Sequence, residues 1–175
     1  LNYAMEYDPN GGLGATAHGD GYPTTAFPLQ SPVISTEVWE ASTGLRVETR
    51  AIKPDTGGPG KYRGGQGQVV VIRNVTGEPV RVSITISRTE YPPRGFLGGK
   101  DGSCKKVFIN GTAVHPRSDH ILAAGDSIRL EDAGGGGLFD PSERPAEKVR
   151  DDVLNGLVSP ESAENDYAVK VDVKV

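Results

Sequence analysis

Glycine is concentrated in one eleven-residue stretch, 57–67, whose sequence is GGPGKYRGGQG. Six of the eleven residues are glycine, and Lys61 and Arg63 stand between them. The stretch separates two runs, 45–52 and 68–73, whose alternating and β-branched side chains are typical of strands. The chain must therefore either turn at 57–67 or use the glycine backbone to hold a ligand.

A phosphate-binding loop requires a lysine followed by Ser or Thr, and then a helix whose N-terminus meets the phosphates. Here Tyr62 follows Lys61, and a β-branched run follows the stretch, so this motif and the dinucleotide-binding motif both fail. We interpret 57–67 as a tight connection between strands, in which glycine provides positive φ angles. The alternative left open is an anion-binding or interface site formed by Arg63, Gly64, Gly65 and Gly67.

Short runs of alternating or β-branched residues predict the strands, which are expected at 45–52, 68–73, 80–87, 106–109, 112–115 and 126–130. Residues 33–40 fit either a strand or a short helix. Near the C-terminus, one apolar stripe follows Pro145, and Ser159 with Pro160 is a typical helix start. The predicted fold class is mainly β: a Gly-rich antiparallel β domain with two short helices near the C-terminus.

The predicted organisation is a single domain spanning 1–175. It begins with an irregular Gly- and Pro-rich lead-in at 1–32 and continues as a β-rich core at 33–141. A helical segment follows at 142–167, and the alternating valines of 168–175 predict a final strand.

Composition excludes several functional classes. The chain has 23 acidic against 19 basic residues and a net charge of −4, so it lacks the basic excess expected of a nucleic-acid or anionic-membrane binder. No apolar run approaches the ~20 residues that cross a bilayer. Cys104 is the one cysteine, which excludes an internal disulfide and fits a cytoplasmic location.

Few side chains are candidates for chemistry. His18 and Asp20, in a glycine-containing loop, are the candidate catalytic residues. His115 and His120 match no metal-ligand spacing even with Asp119 between them, so no metal site is predicted. Cys104 lies beside lysines that could lower its pKa, although a lone loop cysteine is more often inert. These residues form no self-contained catalytic set. We therefore expect the isolated chain to be inactive and to be one part of a larger assembly.

Short motifs, several of them glycine-rich, also follow a recognisable order along the chain. They occur at 12–15, 32–40, 45–48, 55–67, 98–100, 125–126, 134–137, 140–141 and 151–159. As an ordered set they resemble the C-terminal region of hydantoinase B proteins, a family that includes 5-oxoprolinase and subunits of acetone and acetophenone carboxylases. The chain departs from the family at 167–169, where Tyr-Ala-Val replaces the usual Tyr-Gly-Val. It is also far shorter than a full subunit.

The resemblance implies an ATP-dependent cyclic-amide hydrolase of the hydantoinase/5-oxoprolinase class. ATP would belong to a hydantoinase A-type partner, and a divalent metal to the N-terminal part of hydantoinase B, so no cofactor is expected on this chain. The assembly would be a hetero-oligomer, and this chain either a natural small subunit or an excised fragment. The alternatives are a subunit of an ATP-dependent ketone carboxylase and a non-catalytic β scaffold for assembly.

Overall fold

A computed structural model of the chain describes residues 10–25 and 35–172. Parts of three predicted segments lie outside the described residues: 1–9 and 26–32 of the lead-in, 33–34 of the segment that fitted strand or helix, and 173–175 of the final strand.

The described residues form seven strands, three α-helices and one 3-10 turn. The helices are α1 (Thr36–Thr43), α2 (Ala146–Leu154) and α3 (Pro160–Tyr167), and the 3-10 turn is Pro141–Glu143. The strands are β1 (Leu45–Ile52), β2 (Gln68–Asn74), β3 (Val80–Thr85), β4 (Lys106–Ile109), β5 (Thr112–Ala113), β6 (Arg117–Leu122) and β7 (Ser127–Glu131). Of the two alternatives for 33–40, a strand or a short helix, the described residues 35–40 show the helix, which begins at Thr36.

The strands form two antiparallel sheets. The larger has the order β1-β2-β7-β4-β5, and the smaller pairs β3 with β6. In β2, which the β-branched run at 68–73 predicts as a strand, alternate side chains are buried. The main core combines side chains from both sheets and α1: Trp39, Val70, Ile72, Ile84, Val107, Leu122 and Ile128. The predicted fold class is confirmed.

Asn74 joins the two sheets. Its side chain is fully buried at the end of β2, and its Nδ2 donates to the carbonyl oxygens of Glu78, Leu122 and Ala123 at 2.8, 3.0 and 3.1 Å. Its Oδ1 accepts from the N–H of Thr76. A buried amide with this many partners fixes the chain on either side of it, because leaving any of those groups unpaired is costly.

A second core lies beneath the C-terminal helices. Val149 and Val153 of α2 pack with Val158, Ala163 and Tyr167. The side chain of Ser159 accepts from the N–H of Ser162, and Pro160 opens α3, as the sequence predicted. Within the described part of the chain, every helix is too short or too polar to cross a bilayer.

Three sequence predictions require correction. Residues 117–122 form a strand, β6, although their polar sequence RSDHIL carries no strong strand signal; pairing with β3 along its whole length provides the reason. The final strand is wrong for 168–172, which are not in a sheet; Val169 and Val171 instead pack against the second core. The third correction concerns glycine geometry. Among the described glycines, positive φ angles occur at Gly44, Gly77, Gly98, Gly111, Gly125 and Gly156, none of them in 57–67.

Candidate functional site

Four glycine-rich segments lie side by side beyond one end of the larger sheet. We call them the glycine layer: residues 11–15, 57–67, 95–102 and 134–137. Segment 134–137 bonds to all three others through the backbone. The N–H of Gly135 donates to Gly65, that of Ala15 donates to Gly136, and that of Phe96 donates to Gly137, at 2.8–3.0 Å. The layer is therefore a lateral array of backbones.

Close approach of backbones explains the glycines of 57–67. A Cβ atom on Gly64 would lie 2.0 Å from the carbonyl oxygen of Gly135, and one on Gly65 would lie 2.0 Å from that of Tyr22. Real Cβ atoms essentially never approach within 3.0 Å, and the obstructing atoms are backbone rather than flexible side chain. Glycine is required here because neighbouring segments leave no room for a side chain, not because of φ.

Arg63 projects from this layer into the interior and is buried. Its Nε and Nη2 donate to the two carboxylate oxygens of Asp152 on α2 at 3.3 and 3.2 Å. Its Nη1 donates to the Gly64 carbonyl at 2.7 Å and to the Gln66 side chain at 2.6 Å. The anion beside Arg63 in this structure is thus a carboxylate of the same chain.

A second buried arginine, Arg144, extends this group. It donates to both carboxylate oxygens of Asp20 at 2.7 and 2.8 Å, to Asp152 at 2.7 Å and to the carbonyl of Lys61 at 3.0 Å. Asp20 also accepts from the backbone N–H of Arg63. We call Asp20, Arg63, Arg144 and Asp152 the charge network. It contains two cations and two anions, so its formal charge is zero.

The charge network favours the ionised forms of Asp20 and Arg144. Burial alone would raise the pKa of Asp20, but the hydrogen bond and charge of Arg144 and the N–H of Arg63 bring that pKa below its ordinary value. Burial opposes the charge of Arg144 too, yet Asp20 and Asp152 hold its pKa above the ordinary range. Burial raises the pKa of Tyr167, which lines the same region, to about 12.

The amides of the predicted anion or interface site are engaged within the chain. The N–H of Gly64 donates to the Gly58 carbonyl, that of Gly65 to Leu13, and that of Gly67 to the Thr56 hydroxyl, at 2.8–2.9 Å. All three glycines are buried. Binding of an external anion or partner by Arg63 and these glycines stays a prediction.

The candidate catalytic pair is divided between two environments. His18 is exposed, whereas the carboxylate of Asp20 is directed into the charge network. In the parts of the chain that the structure describes, no hydrogen bond joins the two side chains. Their catalytic role also stays a prediction, and the contacts of Asp20 give it a structural role as well.

The remaining candidates lie apart. Ser118 and His120, on one face of β6, are 2.8 Å apart between Oγ and Nε2, while His115 Nδ1 contacts the backbone of Arg117. Over 10–25 and 35–172, no three His, Cys, Asp or Glu side chains converge as a metal site would require. Cys104 is a half-buried free thiol.

Arg144, Asp152 and Gln66 are the members of this region that sequence reasoning missed. Arg144 and Asp152 are charged residues, a type that is usually solvent-exposed, and Gln66 lies in the glycine-rich stretch 57–67. Gln66 Nε2 bonds to the carbonyl of Leu157, 91 residues away, and Asp152 lies 89 residues from Arg63. No local pattern in a single sequence marks such distant partners.

A cleft adjoins this region on the side of α3. It has a volume of about 210 Å³ and is lined by Gly57, Pro59, Lys100, Asp166 and Tyr167, among others. Lys100 and Asp166 form an ion pair of 2.8 Å at its edge. The charge network and this cleft together form a polar region in which each arginine has a carboxylate partner.

Comparison with known proteins gives one matching family model. It is described as hydantoinase B/oxoprolinase and matches residues 2–141. The caprolactamase subunit beta of Pseudomonas jessenii is 30% identical to the chain over 179 aligned positions, which include 92% of this chain and 30% of the relative.

Two solved structures have the same fold. The ATP-dependent caprolactamase from Pseudomonas jessenii aligns with a TM-score of 0.80 at 25% identity, over 93% of this chain and 30% of that one. Nucleotide-free acetone carboxylase aligns with a TM-score of 0.81 at 20% identity, over 95% and 27%. The chain thus spans less than a third of the length of these three proteins.

Proposed function

Because this chain belongs to the hydantoinase B/oxoprolinase family, we propose that it is the C-terminal part or a small subunit of an ATP-dependent cyclic-amide hydrolase. The similarity to caprolactamase subunit beta, which extends over 92% of the chain, is the observation that carries this proposal. A lactam, a hydantoin and 5-oxoproline are all cyclic amides, so the substrate class follows from the family and this relative together.

The arrangement of the described residues favours a structural role for this chain within that assembly. The glycine layer and the charge network form a wall of closely packed backbone and paired charges. Hydrolysis of an amide through an ATP-activated intermediate needs a site closed to bulk water, and a rigid wall of this kind serves that purpose. ATP would supply the activating phosphoryl group from a hydantoinase A-type partner, and a divalent metal would belong to the N-terminal part of hydantoinase B.

The chain is then one component of a hetero-oligomer, and the chain by itself is inactive. We also propose a cytoplasmic location, on the basis of the single cysteine. The alternative substrate, a ketone with bicarbonate, is supported only by the shared fold of acetone carboxylase.

The test is reconstitution. The chain would be co-expressed with the hydantoinase A-type polypeptide and the remaining hydantoinase B-type polypeptide of the same organism. ATP hydrolysis would be measured with caprolactam, hydantoin, 5-oxoproline, and acetone plus bicarbonate. We expect activity with a cyclic amide that needs all three components.

Controls that omit one component at a time separate the outcomes. Full activity without this chain would refute the proposal, as would turnover by this chain alone. Activity only with acetone and bicarbonate would favour the ketone carboxylase over the cyclic-amide hydrolase as the function of the assembly.

A further inference from the structure

Three turns of the chain meet at one end of the glycine layer. Leu138 forms an antiparallel bridge with Tyr62 and a parallel bridge with Phe96. The N–H of Phe139 donates to the carbonyl of Phe96 at 3.1 Å, and the rings of Tyr62 and Phe139 lie 6.2 Å apart between centroids. We call the side chains of Tyr62, Phe96, Leu97, Leu138 and Phe139 the Phe96 surface.

The centre of this surface is apolar and open to solvent. Phe96 is 67% exposed and Leu97 is 60% exposed, and they are adjacent in the chain. The other three side chains are half-buried around them. Contiguous exposed apolar groups of this kind mark interaction sites in soluble proteins, because they leave burial energy unused until a partner covers them.

Two residues of this surface have a backbone conformation that bulky side chains disfavour. Leu97 has a φ of +50° and Phe139 a φ of +61°, which is the left-handed region that bulky residues rarely adopt. Hydrogen bonds from the N–H of Gly99 to Phe96 and from that of Lys61 to Phe139 maintain the two turns. Backbone strain of this kind clusters at functional positions, where the surrounding structure enforces it.

A polar rim borders the apolar centre. Lys61 lies 5.9 Å from the centroid of the Phe139 ring and forms a 3.0 Å ion pair with Glu143. Asp140 lies against Gly98 on the other side. An apolar aromatic centre within a charged rim is the usual arrangement of a protein–protein interface.

We propose that the Phe96 surface is the docking surface for the remaining part of the hydantoinase B-type polypeptide. This rests on the proposed function. The relatives carry the matched region within much longer chains, and the greater part of each chain lies outside it. In those relatives both parts belong to one polypeptide, so an interface between them is permanent, and permanent interfaces are the more apolar class. A separate hydantoinase A-type subunit fits an exposed pair of apolar side chains less well.

The experiment uses the co-expressed three-component assembly with an affinity tag on this chain. The test variants are Phe96→Ser and Leu97→Asn, and the control is Leu154→Ser on α2, which removes a 74% exposed leucine elsewhere. We expect each test variant to reduce capture of the hydantoinase B-type polypeptide at least about tenfold, as loss of an interface anchor does. The control should capture it normally.

Leu97→Asn separates docking from folding. Asparagine tolerates the left-handed region better than leucine does, so the thermal stability of this chain should stay the same or increase while capture falls. A photo-crosslinking phenylalanine analogue at position 96 would identify the polypeptide in contact.

Each other outcome overturns the proposal. Unchanged capture by both test variants refutes it while leaving the proposed function intact, since the assembly still forms. A crosslink to the hydantoinase A-type subunit, or to a second copy of this chain, assigns the surface to that occupant instead. If the wild-type chain captures neither polypeptide, the proposed function fails, and this inference fails with it.

Discussion

Arg144 forms a two-pronged hydrogen-bonded ion pair with Asp20, 124 residues earlier in the chain, at 2.7 and 2.8 Å. The Arg144 side chain is 1% exposed and also contacts Asp152 on α2. One guanidinium thereby connects the N-terminal loop, the stretch 57–67 and the C-terminal helices. The charge network is the feature that makes these distant segments one structure.

Replacing Arg144 should destabilise the fold strongly. Arg144→Met leaves the carboxylates of Asp20 and Asp152 with fewer partners, and removal of one member of a buried ion pair costs about 3–5 kcal/mol. Urea unfolding followed by circular dichroism measures this loss. The control is Lys61→Met, which removes an exposed ion pair with Glu143 and should leave stability within error. Equal stability of the two variants would contradict the importance of the charge network.

Acid should weaken the fold through Asp20. Its folded-state pKa is below the ordinary value of 3.8, so the ionised carboxylate contributes stability that is fully present above that value. This contribution disappears as pH falls from about 4 through the folded-state pKa. Unfolding free energies of wild type and Asp20→Asn should therefore converge between about pH 5 and pH 2, because asparagine does not titrate. A constant difference across that range would show that Asp20 is not held ionised by Arg144.

The close packing of the glycine layer predicts a large effect at Gly64. Gly64→Ala places a methyl group against the backbone of Gly135, and we expect a loss of about 3 kcal/mol or more, since overpacking against rigid backbone cannot be relieved by a side-chain movement. Thermal unfolding measures it. Gly19→Ala is the matched control, because a Cβ there meets nothing within 4 Å. It should be neutral or stabilising by up to about 1 kcal/mol. If both variants unfold alike, close approach is not the reason for glycine at 64.

Asn74 should be indispensable to the pairing of the two sheets. Asn74→Ala leaves the buried carbonyl of Leu122 and the part-buried carbonyl of Ala123 without this donor, and a cost of about 2–4 kcal/mol is expected. Asn155→Ala, at an exposed helix end, should change stability by no more than about 0.5 kcal/mol. Hydrogen exchange would localise the effect: protection should fall in β6 and β3 before it falls in β2. Uniform loss of protection would contradict a specific role at the sheet junction.

Much of the fold could be predicted because its signals are local. The β-branched run at 68–73 predicted β2, and Ser159 with Pro160 predicted the start of α3. The order of the short motifs along the chain predicted the family, which the family model confirms. The sequence predictions failed at strand β6 and at 168–172 for the same reason: the conformation of both segments depends on the residues that they contact. RSDHIL becomes a strand by pairing with β3, and Val169 and Val171 pack against the second core without joining a sheet.

The candidate site divides in the same way. The importance of Arg63 and of the glycines around it could be inferred from residue types, but the partner of Arg63 could not, because Asp152 is 89 residues away and no local pattern links the two residues. The reason for the glycines of 57–67 also differs from the positive φ angles that the sequence predicted. It lies in contacts such as that between Gly64 and Gly135, which only the folded chain creates.

By itself, the sequence determined which segments are strands or helices wherever periodicity or capping acts within a few residues, and it determined the family through the order of its motifs. Tertiary structure alone decided which backbones touch, which carboxylate neutralises each arginine, and which apolar side chains stay exposed, as Phe96 and Leu97 do. The physical reason is range. Helix capping and side-chain alternation are encoded by neighbours, whereas burial, close backbone packing and charge pairing depend on residues that meet only after the chain has folded.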